Sequence, residues 1–317
     1  MKKTVIDEPS RVALRRERLG AARRARWVAW VFVGPAVVVI GLFFVLPVLA
    51  GLALSVTDFD LYALADLRNL RFAGFDNYIH VLGLPLFWKA LGNTLYFVVV
   101  GVPVSIALSL ATAVLLQSPL ARFKPFYRTA LFAPVITTLV AVAVIWRYLL
   151  HVRYGLVNEA LGALGLGPFD WLGDPAWAMP SIILFAVWKG FGANMIIFVA
   201  ALQAIPDDLY EAARLDGATR WQQFAYVTLP MLRPTLLLVS VLTMAGYFQL
   251  FAEPYVMTQG GPLQSTVSVL YLMYEEGFRW WNLGTASAVA FLLFVLMIAI
   301  TQGLMRLGRR GEEAAAG

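Results

Sequence analysis

Six stretches of this chain are apolar for long enough to cross a lipid bilayer, and that leaves few ways to fold it. A helix needs about 20 mostly apolar residues to span the hydrocarbon core. In lipid every backbone N–H and C=O must find a partner inside the protein, so long single spans of this kind are helical. The six run from Trp27 to Leu54, Leu91 to Leu116, Thr129 to Trp146, Ala178 to Ile205, Pro234 to Ala252 and Asn282 to Met305. Lys189 is the one charged residue inside them. Composition agrees with this reading: 60% of the residues are hydrophobic and 14% charged, where a soluble domain carries about 25% charged. The first stretch resembles a signal peptide only superficially. Its apolar core is too long and no small-residue cleavage pattern follows it, so it reads as a retained span. The expected fold is all-α, a membrane protein of six transmembrane helices.

The net charge of +6 is not spread evenly. Lys2, Lys3, Arg11, Arg15, Arg16, Arg18, Arg23, Arg24 and Arg26 precede the first span. Arg122, Lys124 and Arg128 lie between the second and third, Arg214, Arg220 and Arg233 between the fourth and fifth, and Arg306, Arg309 and Arg310 after the sixth. The opposite loops hold only Arg68, Arg71, Lys89, Arg147, Arg153 and Arg279. Basic loops stay in the cytoplasm. Both termini are therefore expected there, with a basic tail over residues 1–26, a membrane domain over 27–306 and a short tail over 307–317. Orientation accounts for the basic residues better than an amphipathic anchor does, and no nucleic-acid partner is implied.

The loop between the fourth and fifth spans is unusual. Ile205-Pro206 closes the fourth span, and Pro206, Asp207 and Asp208 suit the first turn of a helix, where carboxylates meet the positive end of its dipole. The helix continues to Asp216. Gly217 ends it with the left-handed cap that glycine adopts readily. Thr219 and Gln222 have capping-box spacing, which starts a second short helix. Pro230 should stop that helix near Leu229. The result is helix, glycine turn, helix on the cytoplasmic face. Ala212 and Ala213 leave the first helix thin enough to enter a cleft on a partner, beside the charge of Glu211. A loop that merely connects two spans has no need of this pattern.

The run Glu211-Ala212-Ala213, three residues, Gly217, nine residues, Val227, one residue, Leu229-Pro230 resembles the signature loop of permease subunits in binding-protein-dependent ABC importers. Val227 departs mildly from the usual isoleucine. Three further runs are similar to the carbohydrate-uptake branch, of the maltose-transporter type. The first is Phe75-Asp76-Asn77-Tyr78 with Phe87-Trp88 and Asn93-Thr94. The second is Trp188-Lys189-Gly190-Phe191 with Gln203-Ala204-Ile205-Pro206. The third is Glu253-Pro254-Tyr255-Val256-Met257-Thr258-Gln259-Gly260-Gly261-Pro262 with Ser265-Thr266. The resemblance covers roughly residues 27 to 306. It implies a second, related permease, two cytoplasmic ATPase subunits and an extracytoplasmic sugar-binding protein as partners. It also implies that Glu211, Ala212, Ala213, Gly217, Leu229 and Pro230 dock into the ATPase and transmit its closure.

Carriers bind substrate near the membrane midplane, where helices are often interrupted. The fourth span carries Gly190 and Gly192. Gly190, Phe191 and Asn194 share one face of it, beside Trp188 and Lys189. On the fifth span Thr243, Tyr247 and Leu250 share a face, with Gln249 beside them. An aromatic ring, an amide and a bare backbone patch suit a neutral sugar, and in the maltose transporter the corresponding parts of both spans contact the sugar. Packing between helices is the competing role for each of these residues. Lys189 lines the path, pairs with a carboxylate such as Glu253, or serves structure alone.

The chain has no Gly-x-x-x-x-Gly-Lys-Ser/Thr run, so any ATP and Mg are bound by the partner ATPases rather than here. His80 and His151 are the only histidines, which excludes a His-Glu-x-x-His metal site, and no catalytic constellation is visible. The chain reads as a transporter subunit rather than an enzyme, without a cofactor of its own, in the inner membrane. A glycerol-3-phosphate importer of the same family stays open. A carrier driven by an ion gradient would need carboxylates within the spans, and none is there.

Overall fold

The structure, a computed structural model, describes residues 27–118 and 122–316. The basic residues of the first 26 positions lie outside the described residues. Among those described there is helix, turn and loop, and one isolated antiparallel bridge between Thr57 and Phe72. Contacts divide the chain into two compact units, Met1–Leu54 and Ser55–Gly317.

The described residues of the first unit form helix α1, Trp27–Ser55, which runs one residue past the unit's end. Its prolines do not break it. Gly41–Val45 widens to a π turn just before Pro47. Proline lacks an N–H and its ring collides with the carbonyl four residues back. For Pro47 that carbonyl belongs to Phe43, inside the π turn, where the wider winding makes room.

The second unit is built around two long helices, α2 (Pro85–Gln117) and α5 (Pro175–Gln203). Between them in the chain lie α3 (Lys124–Ile136) and α4 (Leu139–Leu149). After α5 come α6 (Asp207–Leu215), a helical run α7 (Arg220–Met231), and α8 (Arg233–Phe248). The short α9 (Ala252–Met257) and α10 (Val269–Tyr274) precede α11 (Leu283–Ala316). Four helices, α1, α2, α5 and the Leu283–Arg306 part of α11, are long and apolar enough to cross a membrane. The number rises to six if the bent pairs α3–α4 and α7–α8 each count as one span.

Apolar faces gain little by meeting each other in lipid, so close approach and buried hydrogen bonds must hold such helices together. Both are visible. Ser109 Oγ on α2 donates to the Phe191 carbonyl on α5 at 2.9 Å. A side chain at Gly192 would run into the Leu131 carbonyl, so α3 and α5 touch backbone to backbone there. Phe185, Ile182, Met195 and Phe198 of α5 are fully buried in this packing.

Several boundaries differ from those read in the sequence. α2 begins at Pro85, the proline of its first turn, rather than at Leu91. The third span is not one helix: α3 and α4 meet at 98°. Pro134 removes a rung of the hydrogen-bond ladder, and Thr137 and Thr138 are extended. The fifth span leaves its helix at Phe248 rather than Ala252, where Ser268 Oγ takes the Leu250 carbonyl. α7 passes the expected stop at Leu229 and reaches Met231, because Phe224–Thr228 is a second π turn. It gives Pro230 the room that Gly41–Val45 gives Pro47. The C-terminal tail from position 307 is a continuation of α11 to Ala316.

Candidate functional site

A cavity of about 350 Å³ opens between α2, α3, α4, α5 and α8. Val135 and Leu139 wall it on either side of the α3–α4 break. Phe97 and Ser105 come from α2, Ala186, Lys189, Gly190 and Asn194 from α5, and Leu242, Thr243, Gly246 and Tyr247 from α8. Leu250 and Glu253 close it after α8 ends.

Of the residues read as a substrate path, the structure gathers Lys189, Gly190, Asn194, Thr243, Tyr247 and Leu250 around this one space. Asn194 Nδ2 donates to Thr243 Oγ1 at 2.9 Å, which ties α5 to α8 at the cavity wall. A Cβ at Gly190 would meet nothing within 4 Å, so the glycine leaves bare backbone at the opening. The other three lie elsewhere. Trp188 packs on Trp146 at 5.3 Å between ring centroids. Phe191 is buried in the helix packing. Gln249 is exposed at the C-terminal cap of α8, because the helix that was to carry it has ended. Leu250 reaches the cavity through that turn and not along a helical face.

Lys189 stands halfway along α5 and its ammonium is occupied. Nζ donates to the Pro134 carbonyl at 3.1 Å and to the Thr137 carbonyl at 2.9 Å. These oxygens lie at the α3–α4 break, where the Pro134 carbonyl also accepts the Thr137 N–H at 3.3 Å. Thr137 Oγ1 also donates to the Pro134 carbonyl, at 2.6 Å. The lysine is thus the clasp of the bend, and Glu253 lines the same cavity.

The sequence reading missed Phe97 and Ser105, and named Glu253 only as a carboxylate to pair with Lys189. The Tyr247 ring stacks on Phe97 with centroids 4.9 Å apart, and it sits over Gly101, where a Cβ would come within 2.5 Å of Cε1. Ser105 is 1% exposed, and its Oγ lies beside the Tyr247 hydroxyl at the cavity wall.

At the far end of α5 the chain turns into α6 and α7. Gly217 has φ +78, in the left-handed region. Ala218 N–H donates to the Ala213 carbonyl at 2.9 Å and Gly217 N–H to the Arg214 carbonyl at 3.0 Å, which closes α6. Thr219 and Gln222 form the capping box that starts α7. Tyr210 and Thr228 join the two helices through their hydroxyls at 2.9 Å. Glu211 and Ala212 are exposed and Ala213 is half-buried. Around them large apolar side chains face outward: Leu215 is 90% exposed, Trp221 73% and Tyr226 78%. Leu229 and Pro230 lie where α7 approaches α8. No cluster among the described residues could hold a metal ion.

Comparison with known proteins matches residues 25–311 to a family described as "Binding-protein-dependent transport system inner membrane component". The lactose transport system permease protein of Rhizobium radiobacter is 38% identical over 275 residues, covering 86% of this chain and 90% of that protein. The trehalose/maltose transport system permease protein of Thermococcus litoralis is 32% identical, over 89% and 94% of the two chains. The sulfoquinovosyl glycerol transport system permease protein of Agrobacterium fabrum is 31% identical, over 92% and 97%. Among solved structures, a chain of a bacterial ABC transporter that imports the acidic polysaccharide alginate superposes with a TM-score of 0.78. It is 24% identical, with 92% and 99% of the two chains covered.

Proposed function

Since this chain belongs to the family of inner-membrane components of binding-protein-dependent transport systems, we propose that it is the permease subunit of an ATP-driven sugar importer. The sugar is a di- or oligosaccharide, as the names of its relatives suggest. Two bent pairs count as spans in this reading, which gives six, and the basic residues put both termini and the α6–α7 segment in the cytoplasm. A second permease of the same family completes the translocation path. Two cytoplasmic ATPases bind and hydrolyse ATP with Mg, and a binding protein delivers sugar to the opposite face.

The observation that carries the coupling is the α6–α7 segment itself. It is a rigid, doubly capped helix pair whose exposed side is apolar at Leu215, Trp221 and Tyr226. An exposed cluster of this kind marks a protein contact. Glu211, Ala212, Ala213 and Gly217 form the part that enters the ATPase, and Leu229 and Pro230 pass its motion to α8. The sugar path runs through the cavity lined by Lys189, Gly190, Asn194, Thr243, Tyr247 and Leu250. ATP-driven closure of the ATPases swings α5 and α8 and opens the cavity outward, and hydrolysis returns it.

Purification of the tagged chain from its native membrane tests this. An ATPase and a second permease should copurify. Glu211→Lys and Gly217→Val should lose the ATPase and sugar uptake while the chain still inserts. Wild-type uptake in Glu211→Lys would refute the coupling role. A chain that purifies alone and moves sugar in liposomes without ATP would overturn the importer reading.

A further inference from the structure

A second cavity, of about 260 Å³, opens at the end of α5 opposite α6, where the loop before Pro175 meets the ends of α4 and α9. Its floor is apolar. Leu150, Leu172 and Met257 line it, and Leu150 and Met257 are each 3% exposed. The same apolar cluster holds Phe97, Ala186 and Leu250, which wall the central cavity. α9 borders both spaces. Glu253 lines the central one and Met257 the second one, four residues further on, a rise of about 6 Å along the helix.

The rim is polar and held in place. Arg147, His151, Asp170, Thr258 and Gln259 stand around the floor. His151 Nδ1 accepts the Arg153 N–H at 3.2 Å, and its ring lies flat on Tyr154 with centroids 3.5 Å apart. An imidazole that accepts at Nδ1 carries its proton on Nε2, so it keeps a donor to offer. Asp170 Oδ1 accepts the Gly173 N–H at 2.9 Å, which fixes the carboxylate and leaves its other oxygen to accept. Gln259 has φ +52, a left-handed conformation uncommon outside glycine, and such strain gathers at ligand sites. Arg147 and Asp170 are exposed, and neither is in an ion pair among the described residues.

A fixed apolar floor ringed by donors and acceptors matches one sugar ring, whose faces are C–H and whose edge is hydroxyl. Arg147 and Asp170 suit that edge, since a guanidinium offers a fork of donors and a carboxylate accepts from neighbouring hydroxyls. The volume falls just under the about 300 Å³ at which small-molecule pockets begin, the size of a ring rather than a chain. We infer that this second cavity is a separate sugar site, a station at the outer mouth that holds one ring of the glycan while the apolar layer of Leu150, Leu250 and Met257 closes the way to the central cavity. Sugar released by the binding protein then has a place to wait until α4 and α9 part. The inference rests on the reading of the chain as a sugar permease with its α6–α7 segment in the cytoplasm.

The test uses the whole importer complex in nanodiscs. The probe is whichever of lactose, maltose and trehalose the complex takes up with its binding protein. Saturation-transfer NMR without the binding protein reads direct contact with the sugar. Gly190→Trp fills the central cavity, because a side chain there meets nothing within 4 Å. That complex should keep a sugar signal, and Arg147→Gln or Asp170→Asn added to it should weaken binding about tenfold, the size of one hydrogen bond to a charged group. With Gly190 in place, two binding steps in a titration should become one on either rim change, so the result does not hang on Gly190→Trp. The rim changes should leave the affinity for the binding protein within about twofold. A single step in wild type that neither rim change alters overturns the inference, as does the loss of all sugar signal in a folded Gly190→Trp complex. So does a wild-type complex that takes the sugar up but shows no signal from it. Tenfold weaker docking of the binding protein with an unaltered sugar signal overturns it too, and assigns the cavity to that protein. A complex that takes up none of the three sugars removes the sugar reading itself and the inference with it.

Discussion

Tyr247 occupies its place in the cavity because residue 101 is glycine. Its ring lies over Gly101 and against Phe97, and no side chain fits between. Gly101→Ala must therefore push the ring out of the stack. Overpacking of this kind costs about 1–3 kcal/mol, and a fall in melting temperature in detergent should show it. In a Tyr247→Ala background the penalty should largely vanish, because the two residues act as a pair. Equal penalties in both backgrounds would place the strain elsewhere. Asn194, Thr243 and Tyr247 were legible in the sequence, since polar and aromatic residues at helical spacing stand out in an apolar run. Ser105 was not, although it is hydroxyl-bearing and four residues from Ser109. Serines are common in membrane helices, and nothing local tells a packing serine from one beside a cavity. Glu253 was read as a carboxylate that could pair with Lys189, not as part of the cavity wall. Its place at the cavity depends on α8 ending early, which no local residue announces.

At the level of elements the decisive feature is the 98° break between α3 and α4. Pro134 and the Thr137-Thr138 pair were in plain view, but prolines and threonines are tolerated in unbroken spans. What turns a kink into a corner is a donor 52 residues away, Lys189 on another helix. Long-range partners of that kind leave no trace in local periodicity. Lys189→Met should strip the Thr137 carbonyl of its donor and the Pro134 carbonyl of one of three. The net loss is about 1–2 kcal/mol, because removing a charge from the membrane interior offsets part of it. The chain has no cysteine, so Thr138→Cys gives a clean probe of the corner. Maleimide should label it several-fold faster with Met at 189 than with Lys, and Lys189→Arg should restore most of the protection. An unchanged rate would mean that the corner holds without its clasp. The α6–α7 pair was far easier to read, because both of its caps are set by residues within five positions of each other.

For the molecule as a whole, the segments at the two ends of the second unit are expected to face opposite sides of the membrane. Leu215 next to Gly217 and Leu263 in the loop after α9 are both strongly exposed, at 90% and 80%. A membrane-impermeant maleimide added to intact cells should label Leu263→Cys and leave Leu215→Cys untouched. Inverted vesicles should give the reverse, and any other pattern would refute the orientation drawn from the basic residues. Lys189 also bears on how the chain is made. A lysine at the centre of a helix resists entry into the bilayer by about 2.5–3.5 kcal/mol on insertion scales. The two carbonyls that receive it belong to Pro134 and Thr137, so the ribosome has released them before α5 emerges. The clasp is ready when the lysine arrives, and the order of synthesis becomes an order of assembly: α5 settles in the membrane only after the broken span is there to meet it.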